Sequence, residues 1–186
     1  MTREDRRQIL ESFGRAPALL SAALRQYPKK MWLYKPSADR WSIHEIILHL
    51  ADTEANSYIR CRRFIAEPGT SVLRIDAARW AESLGYFHQS TREALEIIRR
   101  LRKTTYQLLV SLPESVWAHT VEHPRDGQIS LQHWVELQER HVPHHMEQMK
   151  QNYALWFKTH PPRKPATRPA QERTAARMVS LSASVC

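Results

Sequence analysis

The sequence predicts an all-α fold: a four-helix bundle followed by a disordered basic C-terminal tail. Three observations carry that expectation. Apolar residues recur at helical spacing in four separate stretches. Only four glycines occur in 186 residues, too few for the tight turns of a β-sandwich or barrel or for a Gly-rich phosphate loop. No alternating apolar pattern and no internal repeat stands out.

The elements follow in order. The first helix is expected over residues 3–25, with Ile9, Leu10, Phe13, Ala16, Leu20 and Leu24 on one face, and Tyr27-Pro28 ends it. The second begins at Ser42, where Ser42 and Glu45 form a capping box, and stops near Ala66, ahead of Pro68-Gly69. Residues 76–84 suit a short extra helix. The third runs from Ser90 to Leu112, carries Leu95, Ile98, Leu101, Leu108 and Leu109, and ends at Pro113. Residues 113–129, with Pro124 and Gly127, are expected to form a loop. The fourth starts with Ser130 as N-cap and runs to about Phe157, before Pro161-Pro162.

Composition bounds the rest. The length suits one domain, expected over residues 1–157. Hydrophobic residues make up 42% and mean hydropathy is −0.57, so a core can be built and chain-wide disorder is excluded. Two cysteines, Cys61 and Cys186, exclude a disulfide framework and a Cys-rich zinc site, and a reducing cytoplasmic setting is expected. The start MTREDRRQIL is charged and has no long apolar core behind it, so no signal peptide is expected. No stretch approaches the roughly 18 apolar residues of a membrane span. The formal charge is +9, yet residues 158–186 alone hold six basic residues against one acidic, in a Pro-, Ala-, Ser- and Thr-rich segment. More than half of the net charge thus lies in the tail, and contact with nucleic acid or another acidic surface is expected through it alone.

The fourth helix carries the chemistry. On a helical wheel its apolar arc holds Leu131, Trp134, Val135, Val142, Met149, Tyr153 and Trp156. His141 and His145 lie on or beside that arc, whereas His133 and His144 turn away. The i, i+4 spacing stacks the two imidazoles a turn apart, which suits chelation of one ion. Hydrogen-bonded core histidines give the same pattern. Pro143, on the outer side, is expected to bend the helix between the two. A third ligand must come from elsewhere, and His49 sits at the edge of the second helix's apolar arc. His44 points elsewhere on the wheel and is expected to be exposed. Cys61, about 18 Å along the axis from His49, reads as a small core residue.

Glu54 falls inside the second helix's apolar arc. A carboxylate there needs a partner, a proton or a cation. An ion pair with Arg63 or Arg99 is one resolution; a catalytic role as general base, or support of a metal ligand, is the other. Asp52, Asn56 and Arg60 are candidates for a pocket edge. His123 suggests a turn role, and Arg60, Arg62 and Arg63 a solvated face. Trp41, Trp80, Trp117 and Trp134 suit core or pocket walls. No Ser-His-Asp or Cys-His arrangement is supported by spacing.

Three segments together resemble the DinB/YfiT-like superfamily of metal-binding four-helix bundles. They are Trp41-Ser42 with His49-Leu50-Ala51-Asp52-Thr53-Glu54, then His123-Pro124 with Gly127 and Ser130-Leu131, and the H-x3-H stretch from His141 to His145. The resemblance covers roughly residues 5–156. It implies that His49, His141 and His145 bind a divalent metal, zinc or nickel for preference, with positions left open for water or substrate. It also implies a homodimer acting on a small molecule, either as a metal-dependent hydrolase or as a transferase using a low-molecular-weight thiol as cosubstrate. The reading from a different class is a non-catalytic bundle that binds metal or a small ligand and acts through protein association.

Overall fold

A computed structural model describes residues 2–161. Five α-helices occur there: α1 Arg3–Leu24, α2 Ile43–Ala66, α3 Ala77–Ser83, α4 Thr91–Val110 and α5 Leu131–Thr159. Each begins at a side-chain cap: Thr2, Ser42, Asp76, Ser90 and Ser130 accept from the backbone N–H three residues on. Such a cap contributes about 1 kcal/mol and fixes where the helix starts. α1, α2, α4 and α5 form the expected bundle, and α3 is the short extra helix. α5 passes through the exposed Pro143 without a break and ends two residues beyond the expected Phe157. The expectation of a disordered tail lies, for residues 162–186, outside the described residues. No described helix is long and apolar enough to cross a membrane.

The core divides into two apolar clusters, and they reveal the helix directions. One gathers Leu20 and Leu24 of α1, Ile43, Ile46 and Ile47 of α2, Ala94 and Ile98 of α4, and Met149 and Trp156 of α5. The other gathers Leu10 and Phe13 of α1, Cys61 and Phe64 of α2, Leu109 of α4, and Leu131, Trp134 and Val135 of α5. Thus α1 and α5 run one way and α2 and α4 the other. α2 packs chiefly on α4, α1 packs on α5 and α4, and the α2–α5 seam is the thinnest of the four.

Parallel α2 and α4 force the connection between them, residues 67–90, to travel the length of the bundle. It is pinned at both ends. Near its start it joins a hairpin that the expected loop turns out to contain: β1 Thr120–His123 pairs antiparallel with β2 Gly127–Ser130, turning at Gly127 with φ 69°. The crossover adds to β1 through Val72 N–H to the Glu122 carbonyl and Glu122 N–H to the Thr70 carbonyl, both 3.0 Å. Near its end Tyr86 is buried against α2. Its hydroxyl donates to Asp52 Oδ2 at 2.5 Å, and its carbonyl lies 2.8 Å from His44 Nε2. His44 is therefore buried, contrary to the expectation of an exposed residue, because the crossover covers it.

Candidate metal centre

The thin α2–α5 seam holds the histidines. α2 presents His49, and α5 presents His141 and His145 a turn apart. One ligand atom from each lies within 4.8 Å of the other two. The Nε2 atoms of His141 and His145 are 3.2 Å apart. Two nitrogens bound tetrahedrally at about 2.0–2.1 Å stand about 3.3 Å apart, so this spacing fits a shared ion. The ring of Trp41 lies against His49 with centroids 4.7 Å apart. His49 and His145 are buried and His141 half-buried; His133 and His144 are exposed.

Second contacts set the state of the rings. Gln148 Oε1, which can only accept, lies 2.8 Å from His145 Nδ1, so that nitrogen carries the proton and Nε2 keeps its lone pair. The amide nitrogen of Gln148 in turn lies 3.1 Å from His144 Nε2. Burial pushes all three cluster imidazoles down, His49 and His141 to about 3 and His145 to about 4, with neighbouring histidines adding to the effect. At neutral pH the cluster is uncharged and offers lone pairs to a cation.

Two depressions reach the cluster. A cleft of about 210 Å³ opens over His49 and His141. α2 supplies Asn56, Ser57 and Arg60 to its wall, the crossover Arg74 and Ile75, the hairpin His123 and Arg125, and α5 Gln138. Ser57 Oγ donates to Gln138 Oε1 at 2.9 Å, tying the two helices across the seam. On the other side, a depression of about 360 Å³ reaches His145 past Trp41, Gln148 and Asn152.

The remaining candidates separate clearly. Glu54 and Arg102 are 3% and 1% exposed and form a closed pair on the α2–α4 seam, with Nε 2.9 Å from both carboxylate oxygens and Nη2 2.5 Å from Oε2. The Arg102 guanidinium also stacks 4.0 Å over Phe13. Glu54 lines neither depression. Its partner is Arg102, not Arg63 or Arg99: Arg63 donates to the Ser71 carbonyl and Arg99 pairs with Glu96. Asp52 anchors Tyr86 rather than the cleft. Asn56 and Arg60 do edge the cleft, and so does His123, whose Nδ1 lies 2.8 Å from Asp126 Oδ2. Trp117, Trp134 and Cys61 are core, whereas Trp80 is exposed. Sequence reasoning passed over Gln148, although its i+3 position from His145 was a usable signal. It had no means of finding Arg74, which only the crossover brings to the cleft.

The chain is similar to known proteins. The family profile described as the DinB superfamily matches residues 12–149. The chain is similar to an Oceanobacillus iheyensis protein named "putative metal-dependent hydrolase", 31% identical over 106 residues, 57% of this chain and 61% of that protein. A Bacillus mycoides protein of the same description is 26% identical over 129 residues, 69% of this chain and 74% of that one. The match spans less than two thirds of the first relative's length. A solved structure with TM-score 0.76 and 21% identity covers 82% of this chain and 87% of its own. It is described as "YfiT from Bacillus subtilis is a probable metal-dependent hydrolase with an unusual four-helix bundle topology". That likeness shows the fold.

Proposed function

The chain belongs to the DinB superfamily, and from that membership we propose that it is a metal-dependent hydrolase whose ion, zinc or nickel, is held by His49, His141 and His145. The observation that carries the reading is the cluster itself: three buried or half-buried, uncharged imidazoles from two helices, with ligand atoms within 4.8 Å of one another, beside a polar cleft. Burying three imidazoles costs free energy that apolar side chains of the same shape would not incur. Histidine nitrogens suit zinc and nickel, and three protein ligands leave a position open. The names of the relatives point the same way.

When bound, a divalent ion supplies Lewis acidity, polarising a carbonyl or phosphoryl oxygen and acidifying water. The chain's own residues do the rest. Gln148 fixes the proton on His145 Nδ1 and so aims Nε2. Trp41 walls the cluster beside His49. Ser57 and Gln138 place polar groups at the cleft, where substrate is held beside the three rings.

The test is metal analysis of protein purified without chelator, followed by a panel of esters, amides and phosphoesters assayed with and without small thiols. The reading predicts one equivalent of divalent ion and thiol-independent hydrolysis lost in His49→Ala. Turnover that requires a thiol would make the protein a transferase, and protein without stoichiometric ion would refute the metal centre.

A further inference from the structure

We propose that the cleft over His49 and His141 is a subsite for an oxyanion, a carboxylate or phosphate group carried by the molecule bound there, and that Arg60 and Arg74 select it with Arg125. For the identity of that molecule as a hydrolysed substrate the proposal rests on the metal-dependent hydrolase reading; the anion subsite itself is independent of it.

Three arginines from three separate elements line one small cleft: Arg60 from α2, Arg74 from the crossover and Arg125 from the hairpin loop. Arg3, Arg6, Arg7, Arg15, Arg63, Arg99, Arg100 and Arg102 each lie within 4.0 Å of a carboxylate. Arg60 and Arg74 lack a carboxylate partner, as do six other arginines among the described residues, but these two line the cleft. Arg60 is held in place without being neutralised. Its Nη2 donates to the Leu73 carbonyl, and Asn56, with its amide oxygen turned toward the guanidinium, accepts from Nε at 3.1 Å. Burial lowers its proton affinity, the mark of a guanidinium partly stripped of water without a counter-charge. Arg125 is balanced by Asp126 at 2.8 Å, so the cleft keeps an excess of two positive charges.

The three charges converge. All three arginines depress the proton affinity of His123, which shares the same wall, with burial the larger cause and Asp126 opposing. No carboxylate lines the cleft. A dication on the neighbouring histidines would add repulsion of the same sign, and an anionic group entering the cleft relieves both. Guanidinium groups pair with carboxylate and phosphate through forked, charge-assisted hydrogen bonds, so those are the groups the wall recognises.

Inorganic phosphate and succinate, titrated calorimetrically at low ionic strength into the full chain as purified, test this directly, with metal content measured on the same samples. The wild type is expected to bind at least one of them saturably, and the tighter of the two identifies the group. Arg74→Gln is expected to weaken binding about tenfold or more, the loss of one charge-assisted bond. Arg60→Gln should do the same, and because Arg74 is exposed and makes no hydrogen bond or ion pair among the described residues, its variant keeps the test alive if Arg60→Gln misfolds. Arg15→Gln, on the exposed face of α1, should leave binding unchanged, and all variants should retain their metal. Anion binding that persists in Arg74→Gln would place the anion on the metal alone and overturn the proposal, as would absence of saturable binding or an equal loss in Arg15→Gln. Saturable, Arg74-dependent binding in protein that holds no metal would leave the subsite standing and sink the hydrolase reading.

Discussion

Among the polar groups that helix α2 buries, Glu54 and His49 face different neighbours. Toward α4 it presents Glu54, which Arg102 meets with three contacts of 2.5–2.9 Å, sealed under Phe13. Toward α5 it presents His49, which meets two further imidazoles and open clefts. The first seam is tightly packed and electrically closed; the second is thinly packed and its lone pairs converge on one another. The difference separates a polar group closed by a counter-charge from one that stands among further ligand atoms. The mark of the second kind is several ligand atoms from different helices that converge on one point beside an open cleft.

Breaking the closed seam should have the largest effect. Glu54→Ala strands the buried Arg102 charge and is expected to cost about 3–5 kcal/mol in urea unfolding, while a double change to apolar residues of similar size should recover most of it. Were Glu54 catalytic instead, its removal would abolish turnover at little cost in stability.

The open seam should respond to metal and to acid. Zinc or nickel at 100 times its Kd should stabilise the folded chain by about 2.7 kcal/mol, and His145→Ala should erase that gain in thermal unfolding. Without metal, the histidines of the unfolded chain take protons below about pH 6.5, but the folded cluster resists until about 4 to 3. Stability should therefore be full above pH 6.5 and decline as pH falls toward 4. A His49→Gln, His145→Gln double variant should show a flatter profile over that window. Metal occupancy should fall in the same direction, since protons compete for the same lone pairs.

Smaller effects sharpen the contrast. Gln148→Leu frees the His145 tautomer and should weaken metal binding about 10- to 100-fold with the fold intact, as read by competition with a chromogenic chelator. Tyr86→Phe removes one hydrogen bond between the crossover and Asp52 and should cost about 1 kcal/mol, without touching metal affinity.

The contrast also explains what could be read from the sequence. The capping box at Ser42 and the H-x3-H spacing fixed which faces His49, His141 and His145 occupy, because both are local to one helix. The partner of Glu54 was not local: Arg102 meets it only through the register of α4 on α2, which no spacing within either helix encodes. The burial of His44 and the cationic wall of the cleft depend on a crossover whose path follows from helix directions, and periodicity is blind to direction. The hairpin was hidden by its four-residue strands, too short for the alternation of buried Val121 and Ile129 to register.

The most direct measurement is anomalous scattering at the metal edge from a crystal of the full chain grown with zinc or nickel. The account predicts one strong peak at about 2.0–2.1 Å from a nitrogen of each of His49, His141 and His145. A peak elsewhere, or none with the three rings hydrogen-bonded to one another and to water, would contradict it.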